Sequence, residues 1–287
     1  MKEVVKLIEK AVSEKRIDRH QGLNALLDFL VEIFDSKHYT SDGGWFKVVA
    51  EAEKKEPYFF RVMMIWMEKV AVAMEKGGWL DFFGEMYEEM YQSKGKASTL
   101  GQFFTPPSLC DLLAHCMEPN EGKINDSACG SGRLLLAGGA ASKFDRRNFY
   151  IGEDLDVVSV KMCALNLMIH GCRGRVVQHD TLMNPVLFDY GFRINDVRFP
   201  TPSPFYSLTR ISLTKEDLEK ANAKIRKRYG DNVEVKRYVD YEVVKPKVGA
   251  KPIMKPIYEH PPMPKMKEKT EKVIREPVQM SLFDDIF

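Results

Sequence analysis

The sequence predicts an α/β fold with a helical domain before it and a basic extension after it. Apolar residues recur at three- and four-residue spacing up to about residue 98, which is the period of amphipathic helices. Short apolar runs then alternate with helical segments to about residue 190, a pattern typical of parallel α/β sheets. Proline and lysine crowd the stretch that follows residue 244. We therefore predict four segments: 1–98, 99–210, 211–276 and 277–287.

The first segment is predicted to be helical. VVKLIEKAV and GLNALLDFLVEIF place apolar residues on one helical face, and PYFFRVMMIWMEKVAVAM begins with a proline suited to a first helical turn. The methionine and aromatic side chains of that stretch are interpreted as packing surface. DFFGEMYEEM adds another amphipathic helix, in which Glu85 and Glu88 are expected on a solvated face.

The second segment is predicted to hold the sheet. FYIG and RVVQ have the character of buried strands, and VVSVKMCALNLMIHG forms the helix between them. Four strands can be placed by about residue 191, and NVEVKRYVDYEVV further on could add one or two. His170 closes the helix, where it is expected to cap the chain or meet solvent rather than bind a metal.

Charge and cysteine content narrow the class of protein. The net charge is only +2, from 43 basic and 41 acidic residues, but residues 211–276 hold 17 basic against 11 acidic residues. Such a segment favours an anionic partner such as nucleic acid, or is a solvated linker. The five cysteines lack zinc-type spacing, and no apolar run approaches the roughly 18 residues of a membrane span. We expect a cytoplasmic protein without a metal site.

The stretch INDSACGSGRLLL, residues 124–136, predicts a ligand site where a strand becomes a helix. Gly130 and Gly132 can adopt positive φ and let a ligand approach the backbone, and the free N–H groups of the next helix favour an anionic group. A plain turn is the alternative. The dinucleotide fingerprint requires a third glycine where Leu135 stands, which disfavours a nicotinamide cofactor. Cys129 is interpreted as a small packing residue of this turn.

A second acidic position follows the next strand. GEDLD places Asp154 22 residues after Gly132, where a carboxylate can hold both ribose hydroxyls of a nucleoside. Glu153 beside it competes for that role.

These segments resemble the adenine-N6 DNA methyltransferases, and most closely the modification subunits of type I restriction systems. GQFFTP, DSACGSGRLLL, GEDLD, LNLMIHG and HDTL occur in the order and spacing of that family, after a helix resembling DFFGEMYEEM. The resemblance covers roughly residues 79–184. It implies a Rossmann-like class I methyltransferase fold and S-adenosylmethionine as cofactor, in a bacterial restriction-modification protein.

The resemblance also implies which residues bind the cofactor. Phe104, Thr105 and Pro106 would line its methionine end, with Asp154 on the ribose. Asp180 would bind the adenine amino group, with Leu182 beside the ring. The turn beneath the cofactor would be formed by Asp126, Ala128, Gly130 and Gly132.

The family's catalytic motif, Asn-Pro-Pro followed by Phe or Tyr, is not recognisable here. NPVLF follows Asp180 too soon for a strand to intervene, whereas FDYGFRIND offers Asn195 and PSPF offers Phe205. We take Asn195 as the polar candidate and Phe205 as the ring that would stack on a flipped adenine. Fewer strands are placed than the family's sheet contains, so the fold is expected to be incomplete or completed by another chain.

Two functions follow from this reading. The first is an S-adenosylmethionine-dependent DNA methyltransferase acting on adenine N6, with DNA and a specificity subunit or another chain as partners. The alternative is a degenerate methyltransferase fold that binds cofactor or DNA without transferring methyl. The carboxyl-terminal QMSLFDDIF resembles peptides that dock on the bacterial sliding clamp, through Gln279, Leu282 and Phe283. Folding back onto its own core is the alternative for this segment.

Overall fold

The computed structural model describes most of the chain up to residue 211 and a few residues beyond. The described residues are 1–40, 42–92, 104–117, 122–145, 147–181, 186–187, 190–196, 206–211, 219, 223 and 236–237. The chain divides into two compact units, Met1–Leu213 and Thr214–Phe287. No described helix has the length and apolarity needed to cross a membrane.

The helices of residues 1–92, called the helical half below, form as the apolar periodicity of the sequence predicts. Helix α2, Arg19–Ile33, begins with a capping box between Asp18 and Gln21, and helix α4, Pro57–Glu75, has Pro57 in its first turn. Both bury one face in the hydrophobic core that contains Trp66, a residue with no exposed surface. A short 3-10 turn, Ser36–His38, follows α2. The helices are α1 Lys2–Lys15, α2 Arg19–Ile33, α3 Gly44–Lys55, α4 Pro57–Glu75 and α5 Phe82–Gln92.

The second half is a five-stranded mixed sheet with helices between its first strands. The strands lie in the order β1 Lys123–Asp126, β2 Phe149–Asp154, β3 Gly174–Gln178, β5 Gly191–Ile194 and β6 Leu208–Arg210. Strands β1, β2 and β3 are parallel, whereas β5 is antiparallel to both of its neighbours. Two shorter strands are not part of this sheet: β4, Val186–Leu187, and in the second unit β7, Lys236–Arg237. The helices are α6 Pro107–Met117, α7 Arg133–Ala141 and α8 Val157–Ile169.

The α/β class is confirmed, and the sheet is mixed rather than fully parallel. FDYGFRIND supplies β5, which runs back along β3 with Gly174 opposite Ile194. Within the described residues, β6 is the outermost strand at one edge of the sheet and β1 is the outermost strand at the other. Of the predicted strand NVEVKRYVDYEVV, only Lys236–Arg237 is described.

The helical half and the sheet share one hydrophobic core within the first unit. The Leu208 N–H donates to the Phe34 carbonyl at 2.8 Å, and the Arg210 guanidinium donates to Asp35 at 3.0 Å. The buried Lys161 ammonium of α8 pairs with Asp28 of α2 at 2.6 Å. These contacts hold α2 and the residues that follow it against α8 and β6. The predicted boundary at residue 98 lies in a stretch outside the described residues.

Candidate functional site

Three aspartates lie at the carboxyl ends of the three parallel strands. Asp126 ends β1 and Asp154 ends β2, while Asp180 stands two residues after the end of β3. The backbone N–H of His179 donates to the backbone carbonyl of Asp154 at 2.9 Å. This bond holds the chain that leaves β3 beside the end of β2. In open α/β sheets this edge is where ligands bind. The structure therefore brings the three predicted acids to one edge.

The turn after β1 is bonded directly to these acids. The Gly130 N–H donates to Asp154 Oδ2 at 2.8 Å, and the Ala128 N–H donates to Asp126 Oδ1 at 3.2 Å. The Cys129 N–H donates to the Glu153 carbonyl at 2.9 Å, which extends the link to β2. Glu153 itself is buried beside His179, with Oε1 at 3.4 Å from Nδ1. Of the two adjacent acids, Asp154 is therefore the one whose carboxylate contacts the glycine turn.

Both glycines are required by the local geometry. Gly130 and Gly132 have φ of 52° and 86°, which ordinary side chains rarely adopt. A Cβ on Gly130 would lie 3.0 Å from the Phe104 ring, and one on Gly132 would lie 2.8 Å from Cys163 Sγ. The turn is thus sandwiched between an aromatic ring and helix α8. Cys129 is buried in it, as its interpretation as a small packing residue requires.

The electrostatics of this edge favour a cationic or donor-rich ligand. Burial raises the pKa of Asp126 and of Asp154, although backbone N–H donors oppose that rise in both cases. Repulsion between the two carboxylates raises the pKa of Asp126 further. In the part of the chain that the structure describes, neither aspartate has a lysine, arginine or histidine at ion-pair distance. A bound positive charge would relieve this repulsion.

Phe104, Thr105 and Pro106 lie beside the turn at the start of α6. The Phe104 ring meets Tyr87 edge-on, with centroids 5.5 Å apart, and the Arg133 guanidinium stands 5.4 Å from its centroid. The Thr105 carbonyl accepts a hydrogen bond from Arg133 Nη1 at 3.1 Å. The Pro106 carbonyl accepts from the N–H groups of the first turn of α6. The segment is therefore held against the glycine turn through Arg133.

A buried polar cluster beneath the turn escaped the sequence analysis. Asp81, immediately before α5, accepts hydrogen bonds from Ser131 Oγ, Arg133 Nε and Asn166 Nδ2 at 2.6–2.7 Å. Arg133 also contacts Glu88 at 3.3 Å, so Glu88 is a partner of this cluster rather than part of a solvated face. Burial raises the pKa of nearby Glu85. The i to i+7 spacing of Asp81 and Glu88 on one helical face was the available signal.

Asn195 lies away from the three aspartates. Because β5 is antiparallel to β3, its last residues reach the amino ends of the parallel strands, opposite the edge that carries Asp154. Asn195 Nδ2 donates to the carbonyls of Met168 and Cys172 at 3.0 and 2.8 Å, and Oδ1 accepts from the Ser207 N–H at 2.9 Å. The amide thus ties β5 to the end of α8. Both polar atoms of the Asn195 side chain are therefore bonded to backbone groups, and its contact with a target adenine stays a prediction.

His170 is the C-cap residue of α8, which confirms the first of the two expected alternatives, and it is buried with both ring nitrogens engaged rather than exposed to solvent. Its Nδ1 lies 2.7 Å from the Asn166 carbonyl, and its Nε2 accepts from the Leu80 N–H at 3.2 Å. The ring stacks on Phe144 with centroids 5.5 Å apart, and burial lowers its pKa to about 4. No group of metal-binding side chains occurs among the described residues.

The remaining predicted site residues lie outside the part of the chain that the structure describes. They are Leu182, Phe205, Gln279, Leu282 and Phe283.

A glycine turn after the first strand and an acid at the end of its parallel neighbour are typical of α/β folds that bind nucleosides. The N-6 DNA Methylase family matches residues 79–230, more than half of the chain. The chain therefore belongs to the N-6 DNA methylase family.

Similar proteins are methylase subunits of type I restriction enzymes. The MjaIX subunit of Methanocaldococcus jannaschii is 32% identical over 124 residues, covering 38% of this chain and 22% of its own length. The HindI subunit of Haemophilus influenzae is 32% identical over 99 residues, covering 32% and 22%. The chain thus spans about a fifth of the length of these relatives.

A solved type I methyltransferase subunit from Streptococcus thermophilus is 22% identical, with a TM-score of 0.32. The match covers 74% of this chain and 50% of that one.

Proposed function

We propose that this chain binds S-adenosylmethionine and acts in the methylation of adenine N6 in DNA, as part of a type I restriction-modification methylase. The observation that carries the proposal is the bonding of the Gly130 N–H to Asp154, on an edge that also holds Asp126 and Asp180. Membership of the N-6 DNA methylase family supports the reaction class. A cytoplasmic location suits that role.

The residues at this edge fit the proposed cofactor. The Asp154 carboxylate can accept hydrogen bonds from the ribose hydroxyls. It would either keep its bond from the Gly130 N–H at the same time or give that bond up. Asp180 would accept from the adenine amino group, and the sulfonium would be attracted to a pair of carboxylates without a cationic partner among the described residues. Phe104 would cover the methionine end with Thr105 and Pro106. When bound, S-adenosylmethionine supplies an electrophilic methyl group.

The chain's own residues would provide binding and orientation rather than covalent chemistry. The glycine turn and the Phe104 ring lie against each other beside the carboxyl ends of the strands. In that position they would exclude water from the sulfonium. The target base must leave the duplex to reach this position. DNA is therefore the expected partner, together with a specificity subunit or another chain that completes the site. Sliding-clamp docking by the carboxyl-terminal segment remains a separate prediction, testable by binding of a peptide carrying residues 277–287 to purified clamp.

Transfer of labelled methyl tests the proposal. The purified chain, alone and with the products of neighbouring genes, is incubated with methyl-labelled S-adenosylmethionine and adenine-containing duplex DNA. We expect label in N6-methyladenine, lost in Asp126→Ala and kept in Asp42→Ala, an exposed aspartate of the helical half. Label in no DNA under any of these conditions would refute methyl transfer.

A non-catalytic cofactor-binding protein is the second candidate. Two observations favour it: the Asn195 amide is bonded to backbone groups, and β1 is the outermost strand among the described residues. Cofactor binding without transfer in the experiment above would support this candidate. Label incorporated by the chain alone would exclude it.

A further inference from the structure

The Asp81 carboxylate accepts four hydrogen bonds although the residue is almost completely buried. Oδ1 accepts from the Gly84 N–H at 2.8 Å and from Asn166 Nδ2 at 2.7 Å. Oδ2 accepts from Ser131 Oγ at 2.6 Å and from Arg133 Nε at 2.7 Å. These donors belong to α5, the glycine turn, α7 and α8. One side chain therefore joins four separate parts of the chain.

Two of these donors flank Gly132 in the turn. Ser131 and Arg133 are its neighbours in sequence, and the Ser131 carbonyl also accepts from Asn166 Nδ2 at 2.9 Å. The residues on both sides of Gly132 are thus held in place by hydrogen bonds to Asp81. Since Gly132 itself has a φ of 86° and little intrinsic preference, these bonds select its conformation.

Arg133, which is bonded to Asp81, also contacts the Phe104–Thr105 segment on the other side of the site. Its Nη1 donates to the Thr105 carbonyl at 3.1 Å, and its guanidinium lies over the Phe104 ring. Arg133 is nearly as buried as Asp81, whereas its second carboxylate partner, Glu88, is more exposed and contacts it at 3.3 Å. Asp81 is therefore the main counter-charge that holds Arg133 in this orientation.

We propose that Asp81 is a positioning residue for the S-adenosylmethionine site. Through Ser131 it orients the Gly130–Gly132 turn, and through Arg133 it orients the Phe104–Thr105 segment, so both walls of the site depend on one carboxylate. This inference rests on the proposed function for its ligand. The contacts that carry it are independent of any ligand.

The test compares three variants of the full chain. Asp81→Asn keeps the shape of the side chain but removes its charge and presents an amide to Arg133 or Ser131. Ser131→Ala removes a single bond and is the milder variant. Asp35→Asn is the matched control, because Asp35 is also buried and pairs with an arginine, Arg210 Nε at 3.0 Å, on β6 away from the turn.

Affinity for S-adenosylmethionine is measured by calorimetry, and backbone order by amide hydrogen exchange without ligand. We expect Asp81→Asn to raise Kd about tenfold or more, the factor that one charge-assisted hydrogen bond is worth. Ser131→Ala should raise it less. Exchange should become faster in peptides covering 128–134 and 104–106. The Asp35→Asn control should change neither the Kd nor these peptides.

Unchanged exchange and a Kd within about twofold of wild type in both Asp81→Asn and Ser131→Ala would overturn the inference. Equal losses in the Asp35→Asn control would also overturn it, because general destabilisation would then explain them. If the wild-type chain binds no S-adenosylmethionine, the proposed function fails. The exchange measurement would still decide whether Asp81 orders the two segments.

Discussion

Replacing Gly132 by alanine tests how closely helix α8 approaches the glycine turn. The added Cβ would lie 2.8 Å from Cys163 Sγ and 3.4 Å from Cys163 Cα, and φ at this position is 86°. Gly171 is the matched control, since it has a φ of 73° and no atom within 4 Å of an added Cβ. The pair of variants separates backbone strain from steric overlap.

The structure gives the expected size of each effect. A left-handed conformation costs an ordinary residue about 1–2 kcal/mol, so Gly171→Ala should lower the free energy of unfolding by about that amount. Overpacking adds about 1–3 kcal/mol, so Gly132→Ala should cost about 2–5 kcal/mol. In a Cys163→Ala background the overlap with sulfur disappears. The cost of Gly132→Ala should then approach that of Gly171→Ala.

Urea unfolding of the single and double variants measures these differences. The double-mutant cycle should give a coupling of about 1–3 kcal/mol between positions 132 and 163. Equal costs for Gly132→Ala and Gly171→Ala, with no coupling to Cys163, would refute the close packing of the turn on α8.

Three further predictions concern titration and the far end of the sheet. Because burial lowers the pKa of His170 from 6.5 to about 4, the unfolded chain binds the extra proton between these values, so stability should fall by about 3 kcal/mol as pH drops through that window. Urea midpoints should show this dependence and should lose it in His170→Gln. Burial raises the pKa of Asp126 and Asp154, and a cation prefers their ionised forms, so calorimetry should show S-adenosylmethionine affinity falling as pH is lowered into the mildly acidic range. Asn195→Ala should cost about 2–4 kcal/mol in urea unfolding and leave that affinity unchanged; a loss of affinity in a stably folded variant would contradict its structural role.

The glycine turn and the acidic strand ends were predictable because each is a local feature of the sequence. Gly130 and Gly132 stand directly between a strand and a helix, and the carboxyl ends of successive parallel strands must meet at one edge. The alternation of strand and helix therefore placed Asp126 and Asp154 together without knowledge of the packing.

The Asp81 cluster was not predictable in the same way. The three side chains that donate to Asp81 are 50 to 85 positions away from it in the sequence, so no local spacing indicates that they meet it. The 3.6-residue periodicity of α5 shows which face is buried but not which polar groups that face will contact. A buried aspartate before a helix reads in the sequence as an ordinary helix cap.

Asn195 shows a different limit of sequence reasoning. An apolar run that ends in asparagine looks the same whether the strand is parallel or antiparallel to its neighbour, yet the direction decides which edge of the sheet the asparagine reaches. Here β5 runs antiparallel to β3, and Asn195 reaches the edge opposite Asp154. Strand direction depends on tertiary pairing, which the local pattern does not encode.

A crystal structure of the chain with S-adenosylmethionine measures the proposed site most directly. We expect the ribose hydroxyls within hydrogen-bond distance of the Asp154 carboxylate, the methionine end against Phe104 and the main chain of Gly130–Gly132 beneath the ligand. Density for the cofactor at any other place, with Asp154 still bonded to the Gly130 and Asp156 N–H groups and not to the ligand, would contradict the assignment.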